Sequence, residues 1–199
     1  MTQPPGEEWR ELATRIKGCV RCRELAAVRN TVVVGEHGQF TRRLALVGEA
    51  PGAQEDATGK PFVGRSGQLL DQLLSDAGLS RSETAVLGVI KCRPPGNRTP
   101  KAPEIANCRP WLETQLTLLN PRVIVALGLT AAAWFLGTRV TLAQVRGAVH
   151  NIGGRAVVVT YHPAAAARFG PNGKPLAALR DDLALAARLL GEALQPDGQ

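Results

Sequence analysis

The sequence predicts an α/β fold with a central, mainly parallel sheet and helices on both faces. Short runs rich in branched apolar residues recur along the chain, such as LALVG at 44–48 and RVIVALG at 122–128. Segments with helical spacing lie between these runs, and a Gly-Gly pair at 153–154 predicts one hairpin near the end. The ligand site of such a sheet is expected at the carboxyl ends of its strands.

In the first half of the chain, the apolar spacing predicts two helices and two strands. Trp9, Leu12, Ala13 and Ile16 share one face of a helix over 7–17, and leucines at 69, 70, 73 and 74 mark a second helix. Ser66 is the expected cap of that second helix, and Gly78 is its expected end. The predicted strands are TVVVG at 31–35 and LALVG at 44–48.

The second half predicts strands at 84–92 and 122–128, helices over 103–119, 129–137 and 175–194, and the hairpin at 148–163. The polar loops after Val47, Ile90 and Thr160 then lie at one edge of the sheet. The tail QPDGQ is expected to fray.

Length and composition indicate one domain, 1–199, because 44% of the 199 residues are hydrophobic and no break in composition divides them. The chain has 24 Lys and Arg residues against 17 Asp and Glu, a net charge of +7. This charge favours a polyanionic partner such as nucleic acid, with a generally basic surface as the alternative. The polar start and the lack of a long apolar run predict a cytoplasmic protein with no membrane partner.

The four cysteines form two pairs, Cys19 with Cys22 in GCVRC and Cys92 with Cys108. A reducing cytoplasm disfavours structural disulfides, so a tetrathiolate site for zinc or an iron–sulfur cluster is expected. Zinc ribbons usually use two tight CxxC knuckles, and the wide spacing of the second pair therefore favours a cluster. Unrelated buried thiols are the alternative.

The stretch GEAPGAQEDATGKPFVG at 48–64 is an acidic, glycine-rich loop at the end of a strand. A phosphate loop would need a lysine that GEAPG lacks, and its carboxylates would repel a triphosphate. A neutral planar ligand such as a nucleobase fits better, with the amides of 49–52 at its edge, Phe62 on its face and a carboxylate to orient water. The alternative for Phe62 is core packing.

His162 is the candidate functional histidine, because it follows a predicted strand at the same sheet edge as Glu49. His37 and His150 lie in ordinary turn and hairpin contexts.

Five features now combine: GEAPG at 48–52, GKPFVGRSGQLL at 59–70, KCRPPGNRTP at 91–100, HP at 162–163, and the four cysteines in order. Together they resemble the family 4 uracil-DNA glycosylases, the iron–sulfur type of bacteria and archaea, over nearly the whole chain. The resemblance implies a three-layer α/β/α sandwich and a nucleoid-associated protein. It also implies a structural [4Fe–4S] cluster on Cys19, Cys22, Cys92 and Cys108.

The resemblance further implies hydrolysis of the bond between a flipped uracil and its deoxyribose in DNA, which leaves an abasic site. His162 would stabilise the leaving base through uracil O2, while Glu49 and Glu55 would position or activate water. Of the two carboxylates, Glu49 is preferred because it lies nearer the strand end. The implied base contacts are Gly48, Glu49, Ala50, Pro51, Phe62, Gly88 and His162.

Gly88 stands where typical members carry an asparagine that reads the uracil edge. Glycine has no side-chain donor or acceptor, so broader base choice, as in the family 5 enzymes, or low activity is expected. The alternative is a close backbone approach in the strand. A second departure is Ala164–Ala167, small residues where relatives place a larger apolar wedge, which predicts a preference for single-stranded or mismatched DNA.

The expected DNA contacts are Arg93, Asn97, Arg98, Lys101 and Arg168, with a solvated loop as the alternative. The loop KCRPPGNRTP lacks the basic insertion and extra histidine of the branch that traps DNA covalently, so trapping is not expected. The expected partner is uracil-containing DNA, duplex or single-stranded, bound by a monomer. Two rival functions stay open, a catalytically inactive DNA-binding protein of the same fold and zinc-bound nucleotide processing.

Overall fold

The computed structural model describes residues 6–137, 140–170 and 172–192. Within these residues, the strands are β1 Leu44–Gly48, β2 Thr84–Gly88, β3 Val123–Leu127, β4 Val149–Ile152 and β5 Arg155–Thr160. They form one sheet in the order β2-β1-β3-β5-β4. Three of the four pairings between these strands are parallel, and the edge strand β4 runs antiparallel to its neighbour β5, which confirms the mainly parallel sheet.

The helices of the described residues are α1 Glu7–Lys17, α2 Arg23–Val28, α3 Ala53–Thr58, α4 Arg65–Asp76, α5 Ala102–Leu119, α6 Leu129–Leu136, α7 Leu142–Val145, α8 Pro163–Phe169 and α9 Lys174–Glu192. Short 3-10 turns occur at Arg81–Glu83 and Pro95–Asn97. No described helix is long and apolar enough to cross a membrane.

The strand side chains alternate between two apolar layers, which makes the fold a three-layer α/β/α sandwich. In β1, Leu44 and Leu46 pack in a core with residues of α4, α8 and α9. Ala45 and Val47 point the other way, into a core shared with α1, α5 and α6. The central strands β1 and β3 are covered on both faces, and they are accordingly apolar along their whole length.

The predicted strand at 31–35 is wrong. This segment runs extended beside β2, where the Val33 N–H donates to the Lys91 carbonyl at 2.8 Å and Glu36 forms one antiparallel bridge with Val86. Gly35 has a φ of +106°, which interrupts regular pairing. The valines at 32–34 are buried, so the apolar run reflects burial rather than a strand.

Other predicted boundaries differ by a few residues. Gly64, not Ser66, precedes the first turn of α4, and Gly78 with φ +69° follows the helix end at Asp76. The strand predicted over 84–92 stops at Gly88. The hairpin is confirmed, with both turn glycines at positive φ. The predicted tail lies outside the described residues, as do 193–194 of the last helix.

Candidate functional site

A large pocket opens at the carboxyl edge of the sheet, as the strand pattern predicts. Its volume is about 590 Å³, within the range of ligand sites in proteins. The loops after β1, β2, β3 and β5 all contribute to its lining. The predicted residues that line it are Gly48, Glu49, Ala50, Pro51, Glu55, Phe62, Gly88, Asn97, Arg98, His162 and Arg168.

Phe62 and His162 form the aromatic wall of the pocket. Their ring centroids lie 5.5 Å apart with 27° between the planes, a stacked arrangement. Gly48 makes this possible, because a Cβ on residue 48 would lie 2.6 Å from the Phe62 ring. The glycine of GEAPG therefore leaves space for an aromatic ring beside the end of β1.

His162 is fixed as a neutral donor. It caps the N-terminus of α8, and its Nδ1 accepts the N–H of Ala164 at 3.2 Å. Nδ1 therefore carries no proton, and in the neutral ring the proton lies on Nε2. Burial lowers the pKa of His162 to about 4, so the ring is neutral at physiological pH. Nε2 is the nitrogen nearest the end of β1, 3.9 Å from a Cβ built on Gly48.

The two candidate carboxylates have different surroundings. Glu49 accepts a hydrogen bond from the hydroxyl of Thr130, and its backbone carbonyl accepts the N–H of Ile90 at 3.1 Å. Glu55 is tied to the backbone of its own loop, where its two oxygens accept three N–H groups: Gly52 at 3.1 Å, Val63 at 2.9 Å and Gly64 at 2.9 Å. Glu55 thus holds the two ends of the glycine loop together.

Asp56, the third acid of this loop, faces away from the pocket. It is buried and accepts hydrogen bonds from Asn30 and Thr31. It therefore joins α3 to the segment that follows α2.

Arg81 holds the loop that carries Phe62, and the sequence alone gave no sign of this role. Its guanidinium donates to the backbone carbonyls of Pro61 and Phe62, the latter at 2.9 Å. The same side chain pairs with Glu36 at 2.6 Å and with Asp71 at 3.1 Å. Phe62 has a φ of +49°, a conformation that costs energy for a residue with a side chain, and these contacts help to maintain it.

Gly88 lies at the end of β2, paired in register with Gly48. Its carbonyl accepts a hydrogen bond from the buried Lys91 ammonium at 2.8 Å. A Cβ on residue 88 would lie 2.8 Å from the Ile90 carbonyl oxygen, closer than real Cβ contacts come. The local backbone is therefore fitted to glycine, and a close backbone approach accounts for the residue.

The four cysteines line one cavity between α1, α2, α5 and the loop after β2. A nitrogen donor faces each sulfur. Trp111 Nε1 lies 3.3 Å from Cys19 Sγ, Asn107 Nδ2 3.6 Å from Cys22 Sγ, and Arg29 Nη1 3.1 Å from Cys92 Sγ. The backbone N–H of Lys91 donates a hydrogen bond to the sulfur of Cys108. Such donors stabilise the negative charge of thiolate sulfur in cluster sites.

Lys91 supports the same interpretation of the cavity. Only 1% of this residue is exposed, and burial lowers the pKa of its ammonium to about 8, against the opposing effect of Cys108 and Cys92. A buried cation that interacts with the thiols of Cys92 and Cys108 matches the net negative charge of a tetrathiolate cluster. Within the described residues, no three His, Cys, Asp or Glu side chains are arranged around a single metal ion.

The expected DNA contacts separate into different environments. Arg98 makes a two-pronged ion pair with Glu104 at 2.9 and 2.6 Å, and Lys101 pairs with Glu24 at 2.8 Å. Arg93 donates to Asn97 at 2.7 Å within its own loop. Arg168 is exposed at the pocket rim. Arg93 and Lys101 are not among the residues that line the pocket.

Sequence reasoning missed several residues of the site. Arg65 and Ser66 begin α4 at the rim, and Gln54 lies on α3. Thr130 was missed because its partner Glu49 is 81 residues earlier in the chain. The helix α8 itself was not predicted, since four consecutive alanines carry no periodic apolar signal.

Residues 36–184 match the family model described as the uracil DNA glycosylase superfamily. The chain is 46% identical over 160 residues to the type-4 uracil-DNA glycosylase of Thermotoga maritima, covering 79% of this chain and 82% of that protein. It is 44% identical over 161 residues to the type-4 uracil-DNA glycosylase of Pyrobaculum aerophilum, covering 77% and 81%. The type-5 uracil-DNA glycosylase of that organism is 33% identical over 187 residues, covering 77% and 81%.

Proposed function

Because the chain belongs to the type-4 uracil-DNA glycosylase family of the uracil DNA glycosylase superfamily, we propose that it hydrolyses the N-glycosidic bond of uracil in DNA. The product is an abasic site, and the enzyme acts as a monomer. The observation that carries the proposal is the stacked pair of Phe62 and His162 at the mouth of β1, with the protonated Nε2 at the pocket side. This pair offers a face for a flipped base and a hydrogen-bond donor for its edge.

In this proposal, His162 supplies the donor for the charge that develops on the leaving base. A neutral imidazole donates from Nε2 while Nδ1 is held by the Ala164 N–H, so the ring cannot easily turn away. A prearranged donor of this kind needs no reorganisation as negative charge grows on uracil O2. Burial keeps the ring neutral, and so leaves this donor role unchanged at physiological pH.

Glu49 is the residue we assign to the water. It lines the pocket, and its side chain is held by one hydroxyl rather than by several backbone amides. A carboxylate oxygen is then available to orient water toward the sugar carbon as the base leaves. Glu55 acts indirectly, because its oxygens already accept three backbone N–H groups. We therefore assign Glu55 to shaping the loop around Gly48, Ala50 and Pro51.

We also propose that Cys19, Cys22, Cys92 and Cys108 hold a [4Fe–4S] cluster. The nitrogen donors at all four sulfurs and the buried Lys91 support this assignment. When bound, the cluster would tie α1, α2 and α5 to the loop after β2, a structural role. Purified protein should contain iron and acid-labile sulfide in equal amounts, whereas stoichiometric zinc without iron would contradict the assignment.

Base choice is expected to be broader than uracil alone. Gly88 brings no side chain to the pocket edge, so the polar edge of the base must be met by backbone or water. The alanines of α8 also present only small side chains beside the pocket, and Ala164 lines it. We therefore propose that single-stranded or mismatched substrates, which cost less to unpair, are favoured over a fully paired duplex.

A cleavage assay on a uracil-containing oligonucleotide tests the proposed function. The expected result is an abasic product, detected as a strand break after alkali, from single-stranded DNA and from a U·G duplex. An oligonucleotide with thymine in place of uracil is the matched control for base choice. Tight binding of the uracil substrate without any abasic product would instead favour a non-catalytic DNA-binding protein.

A further inference from the structure

Thr130, the second residue of α6, donates a hydrogen bond from its hydroxyl to the Glu49 carboxylate. We propose that Thr130 is a positioning residue, which holds that carboxylate in the orientation that the water needs. The inference deepens the proposed function and rests on the role of Glu49 given there. Thr130 itself is not among the residues that line the pocket, so it acts through Glu49.

The turn that carries Thr130 is fixed against the strand end that carries His162. Gly128 follows β3 with a φ of +92°, and its N–H donates to the Thr160 carbonyl at 2.9 Å. A Cβ on Gly128 would lie 3.1 Å from the Cβ of His162. The start of α6 and the histidine are therefore in direct contact, and the Thr130 hydroxyl has a defined place relative to both.

The backbone of Glu49 is equally fixed, which leaves only its side-chain torsions to be selected. The Val89 N–H donates to the Gly48 carbonyl at 2.8 Å, and the Ile90 N–H donates to the Glu49 carbonyl at 3.1 Å. A glutamate side chain on such a backbone still has several rotamers. The bond from Thr130 engages Oε2 and leaves Oε1 as an acceptor for water.

The hydroxyl of Thr130 donates to a side chain, whereas a threonine hydroxyl in a helix usually donates to the backbone. In or near helices, threonine hydroxyls commonly bond to nearby backbone groups. Thr114 of α5 shows that pattern, since its hydroxyl donates to the Pro110 carbonyl at 2.8 Å. Thr130 instead reaches a side chain in the loop after β1, which links two elements of the pocket.

The test compares Thr130→Val, which keeps the shape but removes the donor, with Thr130→Ser, which keeps the donor. Thr114→Val is the matched control for the same chemical change away from the pocket. Two quantities are measured: the single-turnover rate of uracil release, and the affinity for an oligonucleotide with uncleavable 2′-fluoro-2′-deoxyuridine. We expect Thr130→Val to slow release about 10- to 100-fold, as for a lost hydrogen bond to a charged group, with affinity unchanged. Thr130→Ser and Thr114→Val should react at the wild-type rate.

A double-mutant cycle with Glu49→Ala shows whether Thr130 acts through Glu49. We expect Thr130→Val to slow the wild-type protein but to add nothing in the Glu49→Ala background. An equal slowing in both backgrounds, or a wild-type rate for Thr130→Val, would overturn the inference while leaving the proposed function intact. A wild-type rate for Glu49→Ala would overturn the role of Glu49 itself. If thermal melting shows that the valine variant is unfolded, Thr130→Ala replaces it.

Discussion

Phe62 and His162 stack on each other with ring centroids 5.5 Å apart. The two residues are far apart in the chain, since Phe62 lies in the segment after β1 and His162 lies in the loop after β5. The stack depends on Gly48 below it and on Arg81, which holds the Phe62 carbonyl. It brings the face of a phenyl ring and the N–H of an imidazole to the same pocket.

Replacing Phe62 with leucine should weaken base capture. Leucine keeps the apolar bulk but loses the flat ring, and a base–aromatic stack is worth about 1–3 kcal/mol. We expect kcat/KM for uracil release to fall by the factor that corresponds to the loss of this stacking free energy. Phe40→Leu is the matched control, because Phe40 has a similar positive φ but lies in the core at 6% exposure. That variant should lose stability and keep its rate, and equal rates for both variants would contradict the stacking role.

Acidification should protonate His162 only near pH 4, because burial lowers its pKa to about 4. An unfolded histidine has a pKa of about 6.5, so the unfolded chain binds the proton first as the pH falls. This group therefore contributes stability above about pH 6.5 that is lost between there and pH 4. Nitrogen-detected NMR should show the proton on Nε2 of His162 and the low pKa of its ring. In His162→Asn, whose side chain can still cap α8, stability should depend less on pH between 4 and 6.5. A His162 pKa near 6.5 would contradict this account.

Salt dependence should separate the basic residues that contact phosphate from a basic residue that is paired within the protein. Arg168 and Arg65 are exposed at the pocket rim, so Arg168→Ala and Arg65→Ala should each lower the slope of log affinity against log salt by about 0.9 on duplex DNA. Lys101→Ala, which removes an exposed ion pair with Glu24, is the comparison. An equal loss of slope for all three would show that the pairing of Lys101 does not matter.

Arg98→Ala should act on stability more than on DNA affinity. It would leave the Glu104 carboxylate, which is 6% exposed, without its two-pronged partner. Arg98 lowers the pKa of the Glu104 carboxyl. The wild type should therefore be more stable than Arg98→Ala above about pH 4, and this difference in stability should vanish as the pH falls below that value. Thermal melting of the two proteins across this pH range checks the prediction. A constant difference in stability at all pH values would rule out the ion pair as its cause.

The lesion range should reflect Gly88. Oligonucleotides that differ only in uracil, hypoxanthine or xanthine should all yield abasic product, at rates that differ less than in an enzyme that reads uracil with an asparagine amide. Gly88→Asn is not a simple restoration, because a Cβ there would lie 2.8 Å from the Ile90 carbonyl oxygen. That variant should be destabilised by about 1–3 kcal/mol, as in other overpacked sites. Strict and rapid excision of uracil alone would contradict the broader base choice.

The sequence predicts the sheet and the edge that carries the pocket because strands buried on both faces are apolar throughout. LALVG and the VIVAL within RVIVALG are of this kind. TVVVG has a similar composition but forms no strand, and the single bridge beside it is made by Glu36, so composition does not distinguish burial in a loop from burial in a strand. The short helix α8 was missed for a related reason, since four alanines carry no periodic apolar signal.

The residues expected to contact the base and the water do meet in one pocket, but their partners could not be foreseen. In the sequence, Glu55 differs from Glu49 only in its greater distance from the strand end, and only the three-dimensional contacts assign its oxygens to backbone amides. Arg81 and Thr130 hold Phe62 and Glu49 from distant parts of the chain. Such contacts depend on how loops pack, which local spacing does not encode.

The most direct test of the proposed site is the single-turnover rate of uracil release by wild type, Glu49→Ala and His162→Ala, each saturated with a single-stranded uracil oligonucleotide. The wild type should release uracil, and each variant should be slower by about 100-fold or more, as for loss of a transition-state donor or of the water-orienting group. All three should bind the 2′-fluoro-2′-deoxyuridine oligonucleotide with similar affinity. Uracil release at the wild-type rate by both variants would contradict the account.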